Sequence, residues 1–149
     1  MGAVLHSLVM ALQTTVDELV TRLRAVLEPR ADVRFALLFG SAATRGPAQA
    51  GDIDVAISFS VAPSLFDLGA LANDLDVALG AEVTDVVDID DASTLLRHEV
   101  ATAGRPIVER NRDALIEFLA RAPIEYEDLR PYLERESEGL RKALERVSK

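Results

Sequence analysis

The chain has 149 residues, 16 Lys and Arg against 25 Asp and Glu, a formal net charge of -9, and no cysteine. That length suits one domain able to bury its own core, and the missing thiols exclude disulfides, thiolate metal sites and a cysteine nucleophile. The negative charge argues against nonspecific nucleic-acid binding, in which Lys and Arg displace counterions from phosphates, so no direct nucleic-acid partner is expected and a cationic partner suits the chain better.

Met1 to Gln13 is apolar but lacks a basic start and a small-residue cleavage site, and His6 and Ser7 interrupt it. It reads as a helix or a chain end, not a signal peptide or a membrane span, and the chain reads as cytoplasmic. From Thr14 to Glu28, Val16, Leu19, Val20, Leu23, Val26 and Leu27 recur at helical steps, and Pro29 ends the pattern. Val33 to Phe39 reads as a strand buried on both faces and closed by Gly40. Ser41 to Thr44 opens a short helix that Arg45, Gly46 and Pro47 break.

Asp52 to Phe59 predicts the next strand, with Ile53, Val55, Ile57 and Phe59 on a core face and Asp52, Asp54, Ala56 and Ser58 on a polar, small one. Ser64 then caps a helix to about Leu79, with Gly80 as its terminator. Val83 to Ile89 predicts a third strand, Ala92 to Ala103 a helix ended by Gly104, and Pro106 to Val108 a short edge strand. Two helical stretches follow, about Arg112 to Arg121 and Asp128 to Val147. No linker or repeat divides the chain. The pattern predicts one α/β (α+β) domain over residues 1–149: a core at about 14–110 with a small mixed sheet flanked by helices, an N-terminal helix, and a C-terminal helical tail at 112–147.

The stretch LLFGSAATRGPAQAGDIDVAISF carries the chemistry. Residues i and i+2 of a strand project to one side about 6–7 Å apart, so Asp52 and Asp54 present two carboxylates on one surface. The pair repels itself unless divalent cations sit with it, and Mg²⁺ favours one or two carboxylates, waters and substrate phosphates. Two such ions can clamp the attacking and leaving oxygens of a displacement at phosphorus. Gly40 lets backbone approach a ligand closely, and the Ser41 hydroxyl and free N–H groups suit phosphate oxygens. Lysine occurs only at Lys142 and Lys149, so a Walker-type loop is excluded, as is a G-x-G-x-x-G fingerprint. A lone D-x-D is commonly a solvated surface pair and a lone Gly-Ser is weaker still; their conjunction with a later acidic strand, VTDVVDI, carries the reading.

Gly40, Ser41, Asp52 and Asp54 form G-S-x10-D-x-D, which resembles the minimal nucleotidyltransferases of the DNA polymerase β-like superfamily. The segment VTDVVDIDDASTLLRHEVATAGRPIVER is similar to the MntA-type antitoxins of HEPN/MNT toxin–antitoxin pairs. The resemblance implies the polymerase β-like fold and Mg²⁺-dependent transfer of AMP from ATP, with pyrophosphate leaving. It maps the metal-holding and catalytic carboxylates to Asp52, Asp54 and Asp85. It places the nucleotide phosphates at Gly40 and Ser41, and Arg45 is the one basic residue of that loop.

By strand parity Asp88 points away from Asp85 and reads as a strand-end or capping residue. The sequence departs from the commonest family pattern in the position of Gly46 and in having Gly51 before Asp52, so the loop is expected to close differently over the triphosphate. His98 reads as a packed or exposed histidine before a metal ligand, and Arg97-His98 is not the R-x4-6-H ribonuclease motif of HEPN toxins.

The implied activity is AMPylation of a protein hydroxyl, with a tyrosine of a cognate HEPN toxin as acceptor and the chain acting as antitoxin. Transfer to a small molecule such as an aminoglycoside, and a non-catalytic antitoxin that neutralises by binding, stand as alternatives. A homo- or hetero-oligomer is compatible with both. Tyr126, Leu129, Leu133, Leu140, Ala143 and Val147 form a stripe suited to packing on the domain, to a partner, or to both.

Overall fold

The computed structural model describes Gly2 and residues 15–47 and 51–148. Apart from Gly2, the expectation for Met1 to Gln13 lies outside the described residues. Helix α1, Val16–Leu27, starts where the Thr15 side chain accepts from the Glu18 N–H, and it buries Leu19, Val20, Leu23 and Leu27. Strand β1, Val33–Phe39, leads through Gly40 into the short helix α2, Ser41–Arg45. Strand β2 is Ile53–Phe59, helix α3 is Leu65–Leu79 and strand β3 is Thr84–Asp88. A 3₁₀ turn at Ile89–Asp91 precedes helix α4, Thr94–Ala103, strand β4, Arg105–Val108, and helix α5, Arg112–Val147. No described helix is long and apolar enough to cross a membrane.

The four strands form one mixed sheet in the order β3-β2-β1-β4. Strand β1 is antiparallel to β2 and β4, while β2 and β3 are parallel. Strand β4 is an edge, as its proline suggested, since a residue without N–H cannot serve a central ladder. The sheet separates two apolar layers. One joins Leu23 and Leu27 of α1 and Leu71 and Leu75 of α3 to Val55 and Ile57. The other joins Phe35, Leu37, Phe39 and Ala56 to Val100 of α4 and Leu115, Phe118 and Ala122 of α5.

That second layer corrects the expectation for β2. Ala56 and Ser58 are fully buried, because α4 and α5 cover the face read as polar, and the Ser58 hydroxyl is satisfied by donating to Asp90 Oδ2 at 2.7 Å. Asp52 also falls outside the strand, which begins at Ile53.

The two C-terminal stretches are one helix that runs through Pro123 and Pro131. A proline inside a helix forfeits an N–H bond and crowds the preceding turn, at about 3 kcal/mol. Contacts on both sides of Pro123 hold the helix across it: Phe118 and Ala122 are buried, Arg97 Nε lies 3.5 Å from Glu125, and the His98 and Tyr126 rings stack at 4.0 Å. Each large side chain buried there contributes about 1.5–3 kcal/mol, enough for two or three to offset the proline.

Helix α3 has a complete capping box: Ser64 Oγ accepts from the Asp67 N–H at 3.1 Å and Asp67 Oδ2 accepts from the Ser64 N–H at 2.9 Å. Gly80 ends the helix in the left-handed region at φ 73. Ser64→Ala should lower stability in urea unfolding by about 1 kcal/mol, since it removes an N-cap acceptor far from the sheet's acidic end.

Candidate active site

The expected site residues gather at the end of the sheet where β1 finishes and β2 and β3 begin. Phe39 pairs with Asp54 across the antiparallel ladder, and Asp54 pairs with Asp85 across the parallel one. Directly paired residues share a face, and neighbouring strands run about 4.8 Å apart, so the carboxylates of Asp54 and Asp85 stand side by side. Asp54 is half-buried and Asp85 is exposed; Asp52 is exposed in the bend before β2.

Gly40 approaches this pair from β1. Its φ of 72 and ψ of -159 lie in a region open essentially to glycine alone, and a Cβ there would sit 2.5 Å from Asp54 Oδ2. Glycine is required twice over, by backbone conformation and by space. Because Gly40 offers no side-chain cap, the leading N–H groups of α2 remain available, with the half-buried Ser41 hydroxyl beside them. Arg45 is exposed at the other end of α2, and among the described residues no ion pair joins it to Asp52, Asp54 or Asp85.

Burial pushes the Asp54 carboxyl above its ordinary value, and the charges of Asp85, Asp52 and Glu99 push in the same direction. Glu99, carried by α4, was not among the sequence candidates. Nothing local marks it: it is an exposed residue whose charge is felt at Asp54 only because α4 packs on that face of the sheet. Asp52 and Asp85 also line an open groove of about 480 Å³ with Asn73, Asp76, Glu82 and Thr84.

Among the described residues, no group of three or more His, Cys, Asp or Glu side chains is placed to hold a metal ion. The paired carboxylates of Asp54 and Asp85 nevertheless fit Mg²⁺, which needs only one or two carboxylates and completes its shell with waters and oxygens of bound phosphates.

Asp88 does not join the site. Its Oδ1 accepts from the Asp90 N–H at 3.1 Å and caps the 3₁₀ turn, the role its parity indicated. His98 is packed against Tyr126, its Nδ1 buried without a hydrogen-bond partner.

The polymerase beta nucleotidyltransferase family model matches residues 21–113, well over half the chain and all of these site residues. The chain belongs to this nucleotidyltransferase family. Among curated proteins none matches significantly. Among solved structures, the fold is similar to that of a toxin–antitoxin with AMP-PNP, at TM-score 0.71 and 23% identity over 81% of this chain and 97% of that one. It is also similar to a structure of a tri-AMPylated Shewanella oneidensis HEPN toxin in complex with MNT antitoxin, at TM-score 0.68 and 22% identity over 84% and 98% of the two chains. A toxin–antitoxin MntA-HepT structure aligns at TM-score 0.67 and 21% identity, over 82% and 96%. The nucleotidyltransferase therefore has the polymerase β-like fold expected from its motif.

Two outcomes follow from this geometry. Gly40→Ala should cost about 1–3 kcal/mol of stability in denaturant unfolding, from the backbone conformation alone. Asp54→Asn should raise the thermal midpoint of the metal-free protein at neutral pH. The folded state holds the Asp54 carboxyl above its unfolded value, so ionised Asp54 opposes folding once pH exceeds the folded value. The gain from asparagine should vanish below about pH 3.9, where both states are protonated; a midpoint difference constant from pH 3 to 8 would contradict it.

Proposed function

We propose that this nucleotidyltransferase transfers AMP from ATP to a hydroxyl of a partner protein, a tyrosine of a cognate HEPN toxin, and so acts as its antitoxin in the cytoplasm. The observation that carries the chemistry is the pairing of Asp54 with Asp85 beside a glycine with no room for a side chain. The likeness to the tri-AMPylated toxin complex and to the structure with AMP-PNP supports the acceptor and the nucleotide.

In this reading Asp52, Asp54 and Asp85 hold Mg²⁺, which when bound neutralises charge on the triphosphate and on the oxygens gained and lost at phosphorus. The uncapped N–H groups after Gly40 and the Ser41 hydroxyl bind phosphate oxygens and fix the α-phosphorus near Asp54. Arg45 lends positive charge to the outer phosphates. The acceptor hydroxyl attacks the α-phosphorus in line, its O–P bond forms as the bond to pyrophosphate breaks, and Asp85 takes the hydroxyl proton. An AMP phosphate added beside a toxin's RNA-binding surface repels the RNA backbone, so modification itself silences the toxin.

The test is incubation with ATP, Mg²⁺ and the partner, read by intact mass. Wild type should add one or more AMP units, and the modified partner should stay inactive after the antitoxin is removed. Asp52→Asn, Asp54→Asn and Asp85→Ala should each lower the rate at least about 100-fold, the scale of losing a group that acts in the transition state. Asp88→Ala, which breaks only a turn cap, should stay within about threefold of wild type. A partner that regains activity on separation, with no change in mass, would replace transfer by occlusion.

A further inference from the structure

The strand that carries Asp85 is fixed from outside the sheet. In the last turn of α3, Asp76 Oδ1 accepts from the Thr84 N–H at 2.8 Å and from the Val83 N–H at 3.1 Å. The carbonyl of Asp76 also accepts from the Gly80 N–H at 2.8 Å and the Ala81 N–H at 3.2 Å. On the other side of the same backbone, the Ile53 N–H donates to the Val83 carbonyl at 2.7 Å. The residue before Asp85 is therefore tied to α3 and the one before that to both α3 and β2, immediately ahead of the pairing of Asp85 with Asp54.

We propose that Asp76 is a positioning residue: by holding the Val83 and Thr84 amides on one oxygen, it sets where Asp85 stands beside Asp54. The inference rests on the transferase reading above. Without the clamp, the first turn of strand after the Gly80–Val83 connection is held on one side only. Asp85, exposed at the outer edge of the sheet, then keeps its place beside Asp54 through the β2 ladder alone, one of its two sets of backbone ties. A displacement of about 1 Å at a reacting group costs on the order of 100-fold in rate. The Gly40–Ser41 end of the site lies across β2 from Asp76, so its N–H and hydroxyl contacts to the phosphates keep their geometry in the same change.

Because both amides bond to a single oxygen, the carbonyl of asparagine can replace the carboxylate, and alanine cannot. Asp76→Ala should lower kcat at least about tenfold with the KM for ATP within about twofold, and Asp76→Asn should recover to within about threefold of wild type. Amide hydrogen exchange of the metal-free proteins supplies a readout independent of turnover: the Thr84 amide should lose protection in Asp76→Ala and keep it in Asp76→Asn, with core strand β1 unchanged, while the Val83 N–H, which also donates to the Ala81 carbonyl at 3.1 Å, should change less. Wild-type kcat in Asp76→Ala, measured below its melting point, would overturn the positioning role, as would equal losses in the two variants. A wild-type protein that transfers nothing would instead overturn the transferase reading, and the amide exchange would still report whether the clamp holds.

Discussion

Like charges held side by side by backbone register are the constraint around which this structure is organised. The parallel ladder puts Asp54 against Asp85 whatever their charges prefer, and burial and neighbouring carboxylates drive the Asp54 carboxyl upward. Two unit charges about 5 Å apart repel by about 1 kcal/mol in water and about 3 kcal/mol at an effective dielectric near 20, and the exposure of Asp85 keeps the pair toward the lower figure. One fully buried leucine contributes about 1.5–3 kcal/mol. Leu37, Leu38, Val55 and Ile57 are fully buried in the two strands beside the pair, so the core easily outweighs the repulsion. The site can remain electrostatically unfavourable in the folded protein, because the sheet that presents it is covered on both faces.

The division of labour between the two layers follows. Helices α1 and α3 cover one face, and α3 also supplies the Asp76 clamp at the start of β3. Helices α4 and α5 cover the other, where Arg97 acts as a rivet: its guanidinium donates to the Ile89 carbonyl at 2.7 Å, meets Glu125, and lies 5.2 Å over the Phe118 ring. Cation, hydrogen bond and ring contact together tie the turn after β3 to α4 and α5. Beyond Leu133 every described residue of α5 is exposed, its polar side laced by pairs such as Arg141 with Glu145 and Lys142 with Glu138. That end stands free of the core, so the expected stripe packs on the domain only in its first half.

What the sequence made legible was local. Val33–Phe39 was read to the residue because its apolar run is bounded by Gly40, and α3 because Ser64 and Gly80 mark its ends chemically. The placement of Gly40 and Asp54 at one end of the sheet was legible through motif spacing, and that of Asp85 through the family resemblance, with parity setting Asp88 apart. The illegible parts depend on other elements. Nothing in β2 says that helices more than 35 residues away will cover Ala56 and Ser58. Pro123 reads as a helix end until the contacts around Phe118, Glu125 and Tyr126 are known. Glu99 and Asp76 look like ordinary helical acids, because their reach toward Asp54 and the β3 amides exists only after packing.

Strand order assigns directions to the proposed reaction. Gly40 and Ser41 lie on the β1 side of Asp54, and Asp85 lies on the β3 side, at the outer edge of the sheet. The groove beyond Asp85 carries Asp76 and Glu82, so it repels a triphosphate and favours an electropositive surface. In the proposed reaction the nucleotide therefore belongs on the glycine side, where uncapped N–H groups lie, and the acceptor hydroxyl on the β3 side, next to the carboxylate proposed to take its proton. In-line displacement demands that attacking and leaving oxygens lie on opposite sides of phosphorus. A sheet that puts uncapped N–H groups on one side of Asp54 and carboxylates on the other meets that demand through strand order, and its acidic groove suits the basic acceptor surface proposed for it.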